Sequence, residues 1–221
     1  MPTVLITGAS RGIGREFARQ YEAGGWRVIA TCRDPAAYDL EGEVFRLDVT
    51  DPSGIAALRR ELDGEGIDLL INNAGIHGPR DSHLGAIDYG AWEEVLATNV
   101  LGPIRVAEIF AELVERSNLK KMVFISSRMG SIGENTSGGS YIYRSSKAGL
   151  NMAVASLAID LYGRGIVCLL FHPGWVRTDM GGASAPIDAA TSVAGMRAVI
   201  DRARGADNGR FFNYDGKELP W

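Results

Sequence analysis

The sequence predicts an α/β domain: a doubly wound parallel sheet of about seven strands with helices on both faces. Three observations carry that expectation. Apolar segments of strand length alternate with amphipathic segments of helical length from one end of the chain to the other. The strand segments are near-continuous runs such as Val4-Leu5-Ile6 and Leu69-Leu70-Ile71, the pattern of strands buried on both faces. Polar and glycine residues with chemical uses follow the strand ends, where such sheets bind ligands: Gly8, Arg33, Asp48, Asn73, Ser127 and Pro173. A chain of 221 residues with 46% hydrophobic content fits one domain, residues 1–221, better than two.

The elements follow in order. Residues 3–7 form the first apolar run and end at the Gly8 turn, after which residues 12–23 read as the first amphipathic helix. Strands follow at 27–31 and 43–47, and a helix at 52–62 opens behind Asp51, which could cap it, as could Thr50. The strand at 69–72 ends in Asn72-Asn73-Ala74-Gly75. Two helices are expected next, at 89–98 and 100–116, with Asn99 between them as a possible cap. A strand at 122–126, a long helix at 140–162, a strand at 167–171, a helix at 188–203 and a last strand at 210–214 complete the alternation. No internal repeat, charge block or low-complexity linker interrupts it.

Composition narrows the function. Lys plus Arg number 23 and Asp plus Glu 27, a net charge of −4, which argues against a nucleic-acid binder with its basic face. No apolar run approaches the length of a membrane span, and the first residues read as a strand rather than a signal peptide. Cys32 and Cys168 fall in core strands and read as buried free thiols of a reducing compartment, which makes the expected location cytoplasmic. His77, His83 and His172 have no metal-binding spacing, so no metal is expected.

Gly8, Gly12 and Gly14 form a glycine-rich turn between a strand and a helix. Glycine permits the tight turn, the approach of backbone to a pyrophosphate, and close packing of helix on strand. The free N–H groups of the helix end attract phosphate. Alone the turn is a weak signal; its strand-turn-helix context strengthens it. The second strand ends Thr31-Cys32-Arg33, with Cys32 where an acid would accept from a ribose 2′-hydroxyl and Arg33 following. Arg11 in the turn adds a second cation, so NADPH/NADP+ is expected and NADH less favoured; Asp34 could pair with Arg33 and soften that preference. Asp48 and Val49 would suit the adenine, although Asp48 could equally serve as a turn or cap residue.

Tyr143 and Lys147 stand four residues apart, on one face of a helix. An ammonium beside a phenol favours the ionised phenol, which suits proton transfer next to a nicotinamide. Tyr141 is a rival phenol, but four residues on it meets Ser145.

Taken together, Thr7-Gly8-x-x-x-Gly12-x-Gly14, Asn72-Asn73-Ala74-Gly75, Asn99, Ser127, Tyr143-x-x-x-Lys147 and Pro173-Gly174 resemble the short-chain dehydrogenase/reductase family, in family order across residues 7–178. The stretches 125–132 and 172–180 are similar to the small carbonyl-reductase branch that includes C-factor and sniffer. The resemblance implies a Rossmann-type fold and an oxidoreductase that reduces aldehydes or ketones to alcohols. It implies four catalytic residues. Tyr143 would give its proton to the developing alkoxide, and its pKa should fall from about 10 under Lys147 and the charge of oxidised nicotinamide. Lys147 would also hold the nicotinamide ribose. Ser127 would polarise the carbonyl. Asn99 would position a water linking Lys147 to solvent. The cofactor would further meet Ser10, Ile13, Asn73, Ala74, Gly75, Pro173, Gly174, Val176 and Thr178, the last two at the carboxamide. Asn72 and Asn73 would also tie strands and loops together.

One departure stands out. Ser127 precedes Tyr143 by sixteen residues, about three more than the family's usual interval, which we read as a loop insertion within residues 133–139. Counting back by the usual interval lands on Gly130, which has no hydroxyl; Ser131 and Ser126 are the substitutes. Ser127 is preferred because it follows the strand directly, and strand alternation should turn Ser126 and Ser127 opposite ways. The substrate wall is expected from residues 76–85, 129–139 and 175–186, with Met129 and Trp175 touching substrate and little charge to recognise an anion. The resemblance further implies a homodimer, or a homotetramer, built on the long helices. The alternative function is a cofactor-binding, C-factor-like signalling or redox-sensing protein with little turnover.

Overall fold

Alternate side chains of each strand leave the sheet on opposite faces, and in this chain both sets are apolar, so the sheet must be covered twice. The computed structural model describes residues 1–221. Seven strands, β1 (Thr3–Thr7), β2 (Arg27–Cys32), β3 (Glu43–Arg46), β4 (Leu69–Asn72), β5 (Lys121–Ile125), β6 (Val167–His172) and β7 (Phe211–Asn213), form one sheet in the order β3-β2-β1-β4-β5-β6-β7. Every neighbouring pair is parallel. One face packs Val4, Ile6, Ile71, Val123 and Phe171 against Phe17 and Tyr21 of α1 (Gly12–Ala23) and Val193 and Met196 of α6 (Ala189–Arg202). The other packs Leu5, Leu70, Phe124 and Leu170 under α2 (Pro52–Glu61), α4 (Gly102–Glu115) and α5 (Tyr141–Tyr162), through Ile55, Phe110 and Val154. Chain order reverses between β1 and β4, which opens a crevice at their carboxyl ends. Cys32 and Cys168 are buried free thiols. No helix is long and apolar enough to cross a membrane.

Element boundaries shift by a residue or two from the sequence expectation, and the shifts have causes. β5 starts at Lys121 because that residue pairs with Leu69 and Val167 while its buried Nζ donates to the Ile200 carbonyl at the end of α6. Asp51 caps α2 and Asp188 caps α6, each accepting a hydrogen bond from the first turn.

The larger difference lies around Asn99. Instead of two helices with Asn99 as a cap, α3 (Tyr89–Leu96) runs into α4 through a π-helical turn at Ala97–Leu101 that contains Asn99. Pro103 has no N–H to donate to the Asn99 carbonyl four residues before it, and its ring would crowd that carbonyl in an α-helix. A wider turn absorbs both problems.

α5 begins abruptly. Gly138, Gly139 and Ser140 all have positive φ (62°, 64° and 48°), so the chain reverses at the end of the predicted insertion and enters the helix two residues before Tyr143. The segment after β5 packs against α5 where Gly130 meets Lys147: a Cβ on Gly130 would come within 2.7 Å of the Lys147 carbonyl carbon. Gly130→Ala is therefore expected to destabilise the protein by about 1–3 kcal/mol, lowering the melting temperature by about 2–4 °C per kcal/mol in a thermal unfolding scan.

Candidate active site

The glycine turn is built on a contact between strand ends. Gly8 (φ +69°) lies so close to Ala74 that a Cβ would meet the Ala74 Cα at 2.9 Å. Asn73 locks this approach: its Nδ2 donates to the carbonyls of Thr7 and Gly8, both at 3.0 Å. The Asn73 and Ala74 N–H groups donate to Thr7 Oγ1 at 3.0 and 3.1 Å. Gly14 sits underneath, where a Cβ would fall 2.2 Å from the Gly8 oxygen. α1 then starts with no side-chain cap and no acid in its first turn, leaving its N–H groups and positive dipole end toward the crevice.

A cavity of about 480 Å³ follows the strand ends. It is lined by the predicted Gly8, Ser10, Arg11, Gly12 and Ile13, by Arg33, Asp48 and Val49, by Asn73, Ala74 and Gly75, and by Tyr143, Lys147, Pro173 and Thr178. Gly14 is absent from its wall and serves helix packing instead; Gly174 and Val176 belong to a neighbouring cavity. Arg33 is exposed and makes no ion pair, whereas Arg11 bonds Asp179 at 3.0 Å on the surface. Asp34 does not pair with Arg33; its Oδ1 accepts the Ala36 N–H as a cap. Asp48 Oδ1 accepts from the N–H and hydroxyl of Thr50, and these bonds, with Arg33 nearby, hold its carboxyl below the usual range. A cradle that only glycine fits, an uncapped helix end and a free guanidinium at the β2 end suit a dinucleotide with a 2′-phosphate.

The second cavity, about 530 Å³, shares Ile13, Ser126, Tyr143, Pro173, Thr178 and Met180 with the first. Tyr143 thus stands at the junction. Lys147 Nζ lies 5.7 Å from the centre of the Tyr143 ring and donates to the Ile125 carbonyl at 3.0 Å. Ser127 lines the second cavity with Tyr143, while the Ser126 hydroxyl turns away to Asn151 Oδ1 at 2.5 Å. Ser131 accepts the Glu134 N–H and has no place on either wall. The alternation of β5 therefore selects Ser127 as the hydroxyl beside the phenol.

The expected fall of the Tyr143 pKa relies on Lys147 together with an oxidised nicotinamide; in the protein by itself burial pushes the phenol up to about 12, with only Ser127 working against the rise. Burial also brings Lys147 down to about 8, which disfavours the cation that would have done the acidifying. The Asn99 side chain is spent on protein: Nδ2 donates to the Ile76 carbonyl (2.8 Å) and Ser146 Oγ (3.0 Å), and Oδ1 accepts the Ile76 N–H (2.9 Å). Ser146 Oγ in turn donates to the Tyr143 carbonyl at 2.8 Å, so Asn99 ties the loop after β4 to the first turn of α5.

His77 falls within the expected substrate wall of residues 76–85 and lines the second cavity; what sequence reasoning missed is that its ring stacks on Tyr143 with centroids 4.5 Å apart and planes 16° off parallel. Its position just past Asn72-Asn73-Ala74-Gly75 was the available signal. Met129 and Trp175 line the second cavity, Trp175 with its Nε1 bonded to the Gly181 carbonyl. The expectation of little charge there fails: Arg80, Arg128 and Arg144 line it, arriving from segments that are apart in sequence and meet only in the fold.

The family model for short chain dehydrogenases matches residues 2–187. The chain belongs to the short-chain dehydrogenase family. This is a family of oxidoreductases. The C-signal of Myxococcus xanthus is 47% identical over 155 residues, 70% of this chain and 93% of that protein. Among solved structures, the carbonyl reductase Sniffer of D. melanogaster superposes with a TM-score of 0.93 at 33% identity, covering 100% of both chains. The NADPH-bound carbonyl reductase from chicken fatty liver does so with a TM-score of 0.91 at 33% identity, over 100% of this chain and 99% of that one.

Burial of Lys147 makes stability depend on pH. Below about pH 8 the lysine is protonated both folded and unfolded, and the burial cost is felt in full. Between about 8 and the ordinary 10.5 the unfolded chain keeps a proton that the folded one has lost, so stability rises with pH. Lys147→Met removes this dependence. Denaturant titrations should find the wild type gaining about 3 kcal/mol on the variant across that window, with no further change above it.

Proposed function

We propose that the protein is an NADPH-dependent carbonyl reductase, converting aldehydes or ketones to alcohols. The observation that carries this reading is Tyr143, standing between a dinucleotide-shaped cavity and a second cavity with room for substrate. The NADPH-bound state of the chicken relative supports the choice of cofactor.

The glycine turn and the α1 end would hold the pyrophosphate, and Arg33 the 2′-phosphate. Lys147 would meet the ribose, and Thr178 and Val176 the carboxamide. NADPH, when bound, supplies the carbonyl carbon with two electrons and a hydrogen. The protein's residues manage the other half of the reaction. Tyr143 keeps its proton at neutral pH, with its pKa up at about 12, and gives it to the oxygen as negative charge develops there. Ser127 donates to the same oxygen and polarises the carbonyl. Lys147, brought to about 8, titrates close enough to neutrality to return a proton toward the phenol. Asn99 and Ser146 fix the backbone on which Tyr143 rides, and His77 restrains its ring.

The exposed apolar side chains of α5, Met152, Ile159 and Tyr162, support a homodimer formed across that helix. The buried free thiols support a reducing compartment, and we assign the protein to the cytoplasm. The likeness to the C-signal favours a second reading, a cofactor-binding signalling protein with little turnover.

Tyr143→Phe should lower kcat for aldehyde reduction by about 100- to 10,000-fold while NADPH binding persists. A wild type that binds NADPH tightly yet turns over no aldehyde, quinone or ketone would favour the signalling reading. Arg33→Ala should narrow the preference for NADPH over NADH by about 10- to 100-fold in steady-state kinetics, the worth of a charge-assisted hydrogen bond. Light scattering should give twice the chain mass.

A further inference from the structure

The cations of the two cavities are different residues. Arg11, Arg33, Lys147 and Arg177 line the dinucleotide cavity, whereas Arg80, Arg128 and Arg144 line the second and have no place on the first. A dinucleotide therefore does not account for the second set. Against these three guanidiniums the second cavity sets one carboxylate, Glu134, which lies 3.2 Å from Arg128 Nε.

The other guanidinium nitrogens are only partly used. Arg144 follows Tyr143 directly; its Nη2 donates to Ser137 Oγ at 2.9 Å, and its Nε is buried with no partner. A buried, unpartnered donor on a guanidinium costs stability unless something answers it. Arg80 gives Nη2 to the Met180 carbonyl at 2.6 Å and makes no ion pair. The remaining wall, with Met129 and the half-exposed Trp175, offers apolar surface for a substrate body.

We infer that the second cavity selects carbonyl substrates that carry an oxyanion, a carboxylate or a phosphate, held by Arg144, Arg128 and Arg80 while the carbonyl meets Ser127 and Tyr143. The inference rests on the carbonyl-reductase reading and names the substrate class of that site. Planar guanidiniums pair with such oxyanions through two parallel hydrogen bonds, and the partly closed cavity strengthens the attraction over that in open water.

The test is a matched set of substrates reduced with NADPH at low ionic strength: 4-formylbenzoate, its methyl ester, and 4-formylphenyl phosphate. The expected result is a kcat/KM for one or both anions about 10- to 100-fold above that for the ester, shrinking as salt is added. The better anion identifies which oxyanion the site takes. In Arg128→Gln/Arg144→Gln, with NADPH binding followed by fluorescence to establish folding, the ratio of anion to ester should fall to about one. Benzoate and benzamide binding to the NADPH complex is read in parallel, with benzoate expected to bind more tightly. Turnover of the ester as fast as both anions, or a preference that survives in the double variant, overturns the inference and leaves the reductase standing. Tighter binding of benzoate without turnover of any aldehyde sinks the reductase and keeps the anion site. Benzoate binding no tighter than benzamide, with no turnover, overturns both.

Discussion

Asn73 fastens the ends of β1 and β4 together, and both halves of the site depend on that fastening. Its amide holds the Thr7 and Gly8 carbonyls, so the glycine turn keeps its shape and α1 starts where a phosphate could meet it. The same loop continues through Gly75 to Ile76, which Asn99 grips at both its N–H and its carbonyl. Asn99 reaches Ser146, Ser146 reaches the Tyr143 carbonyl, and His77, one residue beyond Ile76, stacks on the Tyr143 ring. A single strand-end loop thus sets the distance between the cofactor cradle and the phenol. Such a network is rigid because each buried polar group has an answering partner.

Charge is distributed to match. At the centre of the site, burial keeps the Tyr143 phenol protonated and brings Lys147 down to about 8. The lasting positive charges lie on arginines, whose guanidiniums stay ionised where a lysine would not. They form two groups, one at the end of β2 for the dinucleotide and one around the second cavity.

Much of this was readable in the sequence. The seven strands were, because a strand buried on both faces needs an unbroken apolar run. Gly8, Gly12, Tyr143 and Lys147 were also readable, since close backbone approach and helical spacing are local demands. The π-helical turn around Asn99 was not: two helices and one continuous rod with a widened turn have the same apolar pattern, and Pro103 only disfavours a regular helix. The effect of burial on Tyr143 was not readable either. Neighbouring charge could be seen in the spacing of Tyr143 and Lys147, whereas burial, the larger effect, could not.

The sequence by itself determined the sheet, the glycine cradle and the phenol-lysine pair, because each is written in residues close together along the chain. The tertiary structure alone decided the rest. It put the hydroxyl of Ser127 beside Tyr143 and turned those of Ser126 and Ser131 to other partners, stacked His77 on Tyr143, gave Asn99 its partners and gathered three arginines around one cavity. Those decisions depend on where loops separated by tens of residues meet, and that meeting is set by the packing of helices on the sheet.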